Sequence, residues 1–390
     1  MLHSVQHDTL VIPGKRKAKP VTTTATSTAT AVQPGIAVHP GQPNSLHMTE
    51  IARREPGPGE VRIGIRQVGV CGTDREIIHG GFGKAPEGAS SLVIGHEMLG
   101  EIAAVGPEVA GLVPGQLVTA TVRRPDGCPA CEAGQPDMCQ WLGYTERGIV
   151  GLHGFMTEAV VEDVRWVVPV PPALGHVGVL LEPLSVVEKA LRQATLIQKR
   201  ISSWQPKTAL VLGAGPIGLA GTLLLRSRGM DVVAVARRPG PHLVAEIVEA
   251  SGARYAGTEE IGLKELAAEL PPLDLIVEAT GSSQPVFTAM EILGNNGVLA
   301  LLSGTGGNRE LTVPSDAINR GLIRGNKVVV GCVNSAKEDF ELGVADLTRW
   351  EQLWPGLAER FITRRLSGLG EFEQLMENPA GDIKTVIEVG

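Results

Sequence analysis

The sequence predicts an α/β protein of two domains, in which a β-rich part precedes a doubly wound parallel sheet. Its 390 residues exceed the size of one ordinary hydrophobic core. Short strand-like segments between Gly and Pro turns fill the first half, whereas strands alternate with helices after residue 206. The 49 glycines and the low aromatic content, 3%, also suit a protein with many tight turns.

The chain divides by composition into four parts. Residues 1–34 hold the basic run Lys15–Lys17 and a Thr/Ala tract, which cannot bury a core, so we predict a disordered extension there. We place a β-rich domain at 35–190 and a domain of alternating strands and helices at 191–335. The last part, 336–390, holds helical segments and a final strand, and we expect it to return to the first domain.

Charge and cysteine usage exclude several classes of protein. The net charge is −7 without a large basic domain, so nucleic acid and anionic membranes are not expected partners. We find no apolar run of the ~20 residues that a membrane helix requires, and we expect no signal peptide. Five cysteines, three of them clustered, favour metal over disulfides and predict a reducing, cytoplasmic compartment.

Alternation and apolar runs predict the individual elements. In the first domain we expect four strands, at Gly59–Val70, Leu99–Val105, Leu117–Val122 and Val164–Val168. In the second domain we expect helices at Ile217–Arg228 and Leu243–Ser251, and strands at Thr208–Leu212, Asp231–Ala236, Asp274–Glu278, Gly297–Leu302 and Lys327–Gly331. The final strand is expected at Ile383–Val389. Right-handed crossovers then give a parallel sheet.

A dinucleotide-binding fingerprint follows the strand at 208–212. Its glycines permit a tight turn, a close approach of pyrophosphate, and close packing of helix on strand. The strand before it and the helix and strand after it make this a strong signal for a Rossmann domain. The residues expected at the cofactor are Gly213, Ala214, Gly215, Pro216, Ile217 and Gly218.

The cofactor preference is indicated at the end of the next strand. A site selective for NAD places Asp or Glu there, whereas this chain has Arg237 and Arg238. Two guanidinium groups suit the 2′-phosphate of NADP, so we favour NADP. The alternative is a pair of solvated arginines, and use of NAD as well remains open. The segment Glu278–Gly281 is a further candidate for the crevice.

Four residues form a candidate catalytic zinc site. They are Cys71, His96, Glu97 and Glu182, which offer one thiolate, one imidazole and two carboxylates. Each has an ordinary structural explanation alone, but together with a dinucleotide site they predict oxidation of an alcohol or sugar by hydride transfer. The Thr73 hydroxyl, two residues after Cys71, is a candidate for passing the substrate proton outward.

A second cysteine cluster lies in a Gly/Pro-rich loop. Cys128, Cys131 and Cys139 have the spacing of a structural zinc site that lacks its fourth cysteine, and Asp126 is the nearest candidate for that position. A site without metal and a simple thiol pair are the alternatives. Thioredoxin-like chemistry is disfavoured because the C-x-x-C pair is not in a βαβ unit.

From about Gly35 to the C-terminus the chain resembles the zinc-dependent medium-chain dehydrogenase superfamily, and most closely the glucose 1-dehydrogenase family of archaea and some bacteria. C-G-T-D and G-H-E belong to the whole superfamily. The resemblance is carried by C-G-T-D-R-E at 71–76, G-H-E at 95–97, V-R-R-P at 122–125, the cysteine cluster, G-F-M at 154–156, E-P-L-S-V-V-E-K at 182–189, G-A-G-P-I-G at 213–218, A-R-R at 236–238 and V-N at 333–334.

The resemblance implies a GroES-like catalytic domain, completed by the C-terminal segment, with a Rossmann domain between. Around the zinc it implies Cys71, His96, Glu97 and Glu182, the two glutamates alternating as ligands. The implied sugar contacts are Thr73, Glu146, Glu182 and Asn334, and the implied cofactor contacts are Ala214–Ile217, Arg237, Arg238, Cys332, Val333 and Asn334. The implied reaction converts D-glucose and NAD(P)⁺ to D-glucono-1,5-lactone and NAD(P)H, and the implied assembly is a homodimer or homotetramer.

Two departures from the pattern bear on the function. The cluster has three cysteines where superfamily members often have four, and Val186 stands where some members have a sugar-binding acid. Loss of that acid weakens discrimination at one sugar hydroxyl. The alternatives to an aldose dehydrogenase are a polyol or alcohol dehydrogenase on the same scaffold, and a non-catalytic NADP-binding protein.

Overall fold

The computed structural model describes residues 31–306 and 308–390. The predicted disordered extension therefore lies outside the described residues except at its end. There the prediction is wrong, because Val32 to Pro34 open a strand that pairs with residues 50–52 of the next strand. The backbone pairing outweighs the low-complexity composition that precedes it.

The β-rich domain is built from three sheets. Its main sheet has the strand order β11-β6-β5-β3-β19-β18, with β10 also paired to β3, and the two small sheets are β2-β1-β4 and β7-β8-β9. The strands of this part are β1 (Val32–Val38), β2 (His47–Ala52), β3 (Glu60–Val70), β4 (Leu92–Val93), β5 (Glu97–Val105), β6 (Leu117–Ala120), β7 (Arg123–Arg124), β8 (Thr145–Arg147), β9 (Gly151–Leu152), β10 (Ala159–Asp163) and β11 (Val167–Pro169), and its helices are α1 (Gly72–Ile78), α2 (Pro129–Glu132) and α3 (Leu181–Gln198); β18 and β19 come from the C-terminal segment.

One predicted strand of this domain begins late. The segment expected from Val164 starts as a 3-10 turn, Val164–Trp166, and only Val167–Pro169 is extended. The Asp163 carboxylate accepts a hydrogen bond from the Arg165 backbone N–H at 2.8 Å and so caps the turn. A local side-chain cap thus replaces the first ladder bonds of the expected strand.

The second domain is a six-stranded, all-parallel sheet in the order β14-β13-β12-β15-β16-β17, which confirms the predicted fold class. Helices cover both faces of this sheet, so its strands are buried on both sides and have nearly continuous apolar sequences. The elements are β12 (Thr208–Leu212), α4 (Pro216–Ser227), β13 (Asp231–Ala236), α5 (Leu243–Ala250), β14 (Arg254–Gly257), α6 (Leu263–Ala268), β15 (Leu273–Glu278), α7 (Ser283–Ile292), β16 (Leu293–Leu301), α8 (Ser315–Arg324) and β17 (Val328–Gly331).

The C-terminal segment touches both domains. Its helix packs against α3 and α4, whereas its last strand pairs with β3, placing Thr385 opposite Val70. Its elements are α9 (Lys337–Leu353), β18 (Ile362–Ser367) and β19 (Lys384–Glu388). Helix α3 crosses the predicted domain boundary at 190/191 and joins one core that extends from Leu99 of the β-rich domain to the parallel sheet. Within the described residues, no helix has the length and apolar character needed to cross a membrane.

Candidate active site

Three of the predicted zinc ligands meet where two antiparallel strands end. Cys71 directly follows β3, while His96 and Glu97 stand at the start of β5, and the register places Gly69 opposite Glu97. The ligand atoms of Cys71, His96 and Glu97 all lie within 4.8 Å of one another. His96 is 4% exposed and Glu97 1% exposed. A half-buried thiol beside a buried imidazole and a buried carboxylate at this separation is a donor set suited to zinc.

Asp74, which the sequence reading did not single out, supports this cluster. Its buried carboxylate accepts hydrogen bonds from the backbone N–H groups of Cys71, at 2.9 Å, and Gly95, at 3.1 Å. It also lies 3.4 Å from Nδ1 of His96. Burial alone would lower the pKa of His96, but the Asp74 carboxylate and Cys71 raise it well above its ordinary value. The pocket therefore favours positive charge, as a metal site should.

Lys384 is a second contributor that the sequence reading missed. From β19, its ammonium donates to both oxygens of Glu97, at 2.8 and 2.6 Å, and to the Val70 carbonyl at 3.3 Å. Burial would lower the pKa of Lys384, and the Glu97 carboxylate raises it above its usual value. Glu97 thus has a buried cationic partner already. The available signal was a lone lysine in the otherwise apolar and β-branched run I-K-T-V-I.

Glu182 stands apart from the other three residues. It lies in the first turn of α3, is 8% exposed, and is outside the group whose ligand atoms fall within 4.8 Å. Burial raises the pKa of Glu182 to about 7, with His96 lowering it and Glu97 raising it further. Glu182 is therefore close enough to His96 and Glu97 to interact electrostatically with both. Val186 follows on the same face of α3, since residues four apart are neighbours on a helix.

The two predicted sugar contacts in the outer part of the site are joined. Glu146 on β8 and Asn334 are distant in sequence, yet Asn334 Nδ2 donates to Glu146 Oε1 at 3.0 Å. Arg123 Nε donates to the same oxygen at 3.0 Å. No hydrogen bond from the described residues engages Oε2 of Glu146. Thr73, the other predicted contact, lies half-buried in the first turn of α1.

The predicted dinucleotide site is an open crevice at the carboxyl ends of β12, β13 and β15, with a volume of about 1110 Å³. Gly213 has a φ of +98°, and a Cβ there would lie 2.5 Å from the Ala279 carbonyl oxygen. A Cβ on Gly215 would meet nothing within 4 Å. The turn thus requires glycine at 213, and the space beside Gly215 opens toward the N-terminus of α4, where backbone amides attract phosphate.

Arg237 and Arg238 follow β13 at the rim of this crevice. Both are exposed, and neither forms a salt bridge with a described residue. Arg237 lines the cavity, whereas Arg238 is not among its lining residues. The Arg238 backbone carbonyl accepts a hydrogen bond from the Tyr255 hydroxyl at 2.6 Å. Two uncompensated guanidinium groups at this position suit a bound anion.

The last predicted cofactor segment directly follows β17. The Cys332 side chain is buried and packs with Ala190 and Ala300, so a cofactor contact there would come from its backbone. Val333 is 65% exposed, and Asn334 has a φ of +61°. Asparagine tolerates this left-handed conformation better than most residues do.

The cysteine cluster has a fourth member. Asp126, Cys128, Cys131 and Cys139 place their ligand atoms within 4.8 Å of one another. The Asp126 carboxylate lies 3.0 Å from the sulfur of Cys139 and 3.4 Å from that of Cys131. All the cysteines are free, which leaves no disulfide in the loop. A carboxylate thus brings the set to four ligands, the number that structural zinc sites almost always have.

Two family models match the chain. The alcohol dehydrogenase GroES-like domain matches residues 57–172, and the glucose dehydrogenase C-terminus matches residues 175–389. The chain is 44% identical to the glucose 1-dehydrogenase of Methanocella arvoryzae, with 91% of this chain and 99% of that protein covered. The chain belongs to the glucose dehydrogenase family. Its place among the zinc-dependent medium-chain dehydrogenases is the one that the sequence motifs predicted.

Other members of the glucose dehydrogenase family match to a similar extent. The glucose 1-dehydrogenase of Thermoproteus tenax is 40% identical, over 91% of this chain and 99% of that protein. The structure of Haloferax mediterranei glucose dehydrogenase in complex with NADP, Zn and gluconolactone has a TM-score of 0.83 and 34% identity. The superposition covers 92% of this chain and 99% of that one.

Proposed function

We propose that this protein oxidises an aldose at C1, with D-glucose as the main substrate, to the 1,5-lactone while reducing NADP⁺. One observation supports this proposal above all. A member of the glucose dehydrogenase family has both the Cys71–His96–Glu97 cluster and an intact dinucleotide crevice. The relative from Haloferax mediterranei was solved with NADP, Zn and gluconolactone, which are the cofactor, metal and product of this reaction.

Cys71, His96, Glu97 and Glu182 are the proposed zinc-site residues. A zinc ion bound there polarises the substrate hydroxyl and lowers its pKa. Cys71, His96 and Glu97 supply donors within 4.8 Å, while Asp74 orients His96 and Lys384 holds Glu97. We propose that Glu182 joins the set from α3. Because Lys384 already pairs with Glu97, the groups that still favour a cation in the pocket are the Asp74 and Glu182 carboxylates and the Cys71 thiolate.

NADP is the proposed cofactor, and the two arginines leave room for NAD to bind in the same crevice. The glycine turn and the N-terminus of α4 bind the pyrophosphate, and Arg237 and Arg238 bind the 2′-phosphate. The exposed Val333 and its neighbours contact the nicotinamide end. The proposal rests on the open space beside Gly215 and on the unpaired guanidinium groups.

The sugar is proposed to contact Thr73, Glu146, Glu182 and Asn334. Glu146 and Asn334 are already joined through Oε1 of Glu146, so Oε2 remains to accept from a sugar hydroxyl. The Thr73 hydroxyl passes the substrate proton toward solvent. This polar surface favours a polyhydroxylated substrate over an apolar alcohol, because buried polar groups are costly without partners.

A second metal and an assembly complete the proposal. Asp126, Cys128, Cys131 and Cys139 would hold a structural zinc, since their ligand atoms converge. We further propose a homodimer or homotetramer, and a reducing, cytoplasmic compartment, which the free cysteines suit. Of the proposed divisions of the chain, 335/336 lies between β17 and α9, whereas 190/191 lies within α3, which belongs to the core that both domains share.

A substrate panel tests the function. The zinc-loaded protein is assayed for NADPH formation with glucose, galactose, xylose, a polyol and a primary alcohol, each with NADP⁺ and with NAD⁺. We expect the highest kcat/KM with glucose and NADP⁺. Turnover of the polyol or alcohol without any aldose would assign a different substrate, and binding of NADPH without turnover of any compound would leave only the non-catalytic reading.

A further inference from the structure

Lys189 is a fully buried lysine that the proposed chemistry does not use. It lies on α3 with its side chain 2% exposed, a rare position for a lysine. Its ammonium donates to the Val333 carbonyl at 2.8 Å and to the Asp137 carbonyl at 3.0 Å, and it lies 3.0 Å from the Asp137 carboxylate. These contacts match the three donors of an ammonium.

The contact with Asp137 connects Lys189 to the cysteine loop. Asp137 lies in the 3-10 turn Pro136–Met138, two residues before Cys139. Its carbonyl oxygen also accepts from Arg123 Nη1 at 3.3 Å. Two buried cations from different elements therefore hold one backbone carbonyl in this turn.

Arg123 contacts both this carbonyl and the proposed sugar site. Its Nε donates to Glu146 at 3.0 Å, and its guanidinium stacks over the Tyr144 ring at 3.7 Å from the ring centre. Glu146 in turn accepts from Asn334 at 3.0 Å. One series of contacts runs from the Asp137 carbonyl through Lys189 to Val333, and the other through Arg123 and Glu146 to Asn334. The two series meet because Val333 and Asn334 are consecutive residues.

The contacts close into a ring that fixes a short segment at two points. Lys189 holds the Val333 carbonyl, and Glu146 holds the neighbouring Asn334 amide, whose left-handed backbone depends on its surroundings for stability. The segment carries both proposed cofactor and sugar contacts. We call this set of residues the Asp137 ring: Asp137, Lys189, Val333, Asn334, Glu146 and Arg123.

We propose that Lys189 is a positioning residue that sets the Val333–Asn334 segment for sugar and NADP binding by holding it against the Asp137 turn. The proposal rests on the proposed function for its substrate. Without the ammonium, the Val333 carbonyl loses its buried partner and the segment is free to shift, which weakens the contacts that it makes with the sugar and the cofactor. The reacting groups at Cys71 and His96 lie outside the ring, so binding weakens more than the chemical step does.

The test compares Lys189→Met and Lys189→Arg with the matched control Lys327→Met. Lys327 is a half-buried lysine of the Rossmann domain whose ammonium donates to the Glu291 carbonyl at 3.3 Å, away from the ring. For each protein, KM for glucose, kcat, and the NADPH dissociation constant from cofactor fluorescence are measured. We expect Lys189→Met to raise KM for glucose and the NADPH dissociation constant about 10-fold or more, with kcat changed less than about 3-fold.

Lys189→Arg keeps a positive charge beside the buried Asp137 carboxylate, so this variant avoids the loss of folding that an unpaired Asp137 would cause. Its planar guanidinium cannot reproduce the three ammonium contacts. It is expected to shift both binding constants in the same direction by a smaller factor. Unchanged binding constants in folded Lys189→Arg or Lys189→Met, or changes equal to those in Lys327→Met, would overturn the proposal. If the native protein oxidises no aldose, the substrate proposal fails, and NADPH binding alone still decides the role of Lys189.

Discussion

Removal of both arginines after β13 gives the sharpest test of cofactor choice. Charge-assisted hydrogen bonds contribute about 1.5–3 kcal/mol each when protected from solvent, and both guanidinium groups here are exposed. We therefore take about 1–1.5 kcal/mol per arginine, because exposure screens the interaction. Arg237→Ala with Arg238→Ala should then cost about 2–3 kcal/mol toward NADP, a rise of roughly 30- to 150-fold in its KM.

The assay is steady-state oxidation of glucose with NADP⁺ and with NAD⁺, and the ratio of the two KM values is the quantity of interest. NAD has no 2′-phosphate, so its KM should change less than about 3-fold. Arg254→Ala is the matched control. Arg254 is an exposed arginine at the amino end of β14, so it lies at the end of the parallel strands opposite to Arg237 and Arg238. Equal rises in both KM values would refute the 2′-phosphate role.

Three further predictions concern stability. Burial and Asp346 raise the pKa of Glu188 to about 9 from an ordinary 4.5, so the folded protein keeps a proton that the unfolded chain releases between these values. The free energy of unfolding should therefore fall as pH rises through that window, and Glu188→Gln should recover about 1–3 kcal/mol at pH 8 in denaturant titrations. Lys384→Met should lower the metal-free protein's free energy of unfolding by about 3–5 kcal/mol, since Glu97 remains buried and unpaired. Removal of metal by a chelator should lower the Tm of the native protein more than that of Cys128→Ser with Cys131→Ser, because a ligand of the folded state stabilises it.

Each of these outcomes has a clear contrary result. The same slope of stability against pH in Glu188→Gln and in the native protein would remove Glu188 as its cause. For Lys384, the pairing is wrong if Glu97→Met fails to restore stability to the Lys384→Met protein. An equal chelator effect in the native protein and in the double cysteine variant would mean that the loop contributes no metal-linked stability.

The sequence predicted best what is encoded locally. The strand at Thr208–Leu212 and the one at Asp231–Ala236 have the expected bounds, because each is a short apolar run next to a glycine turn. The cysteine loop was equally readable, since its ligands lie within 14 residues of sequence and Asp126 was already the nearest candidate. The combination of a thiol, an imidazole and carboxylates in a chain with a dinucleotide site predicted that Cys71, His96 and Glu97 lie together, and their ligand atoms do converge.

Local sequence patterns could not predict the contacts between segments that are distant in sequence. Lys384 meets Glu97 only because β19 returns to the first sheet, 287 residues later in sequence. Asp74 and Arg123 lie within recognised motifs, but their buried partners depend on the packing of other strands. The distance of Glu182 from the other three zinc-site residues likewise follows from the docking of α3, which no spacing rule encodes.

The most direct measurement of the central claim is the zinc content of Cys71→Ser together with its glucose turnover and NADPH affinity. If Cys71 helps to hold the catalytic zinc, this variant loses about one zinc per chain and its turnover, while the NADPH dissociation constant stays within about 2-fold of the native value. A variant that retains the native zinc content and substantial turnover would contradict the account.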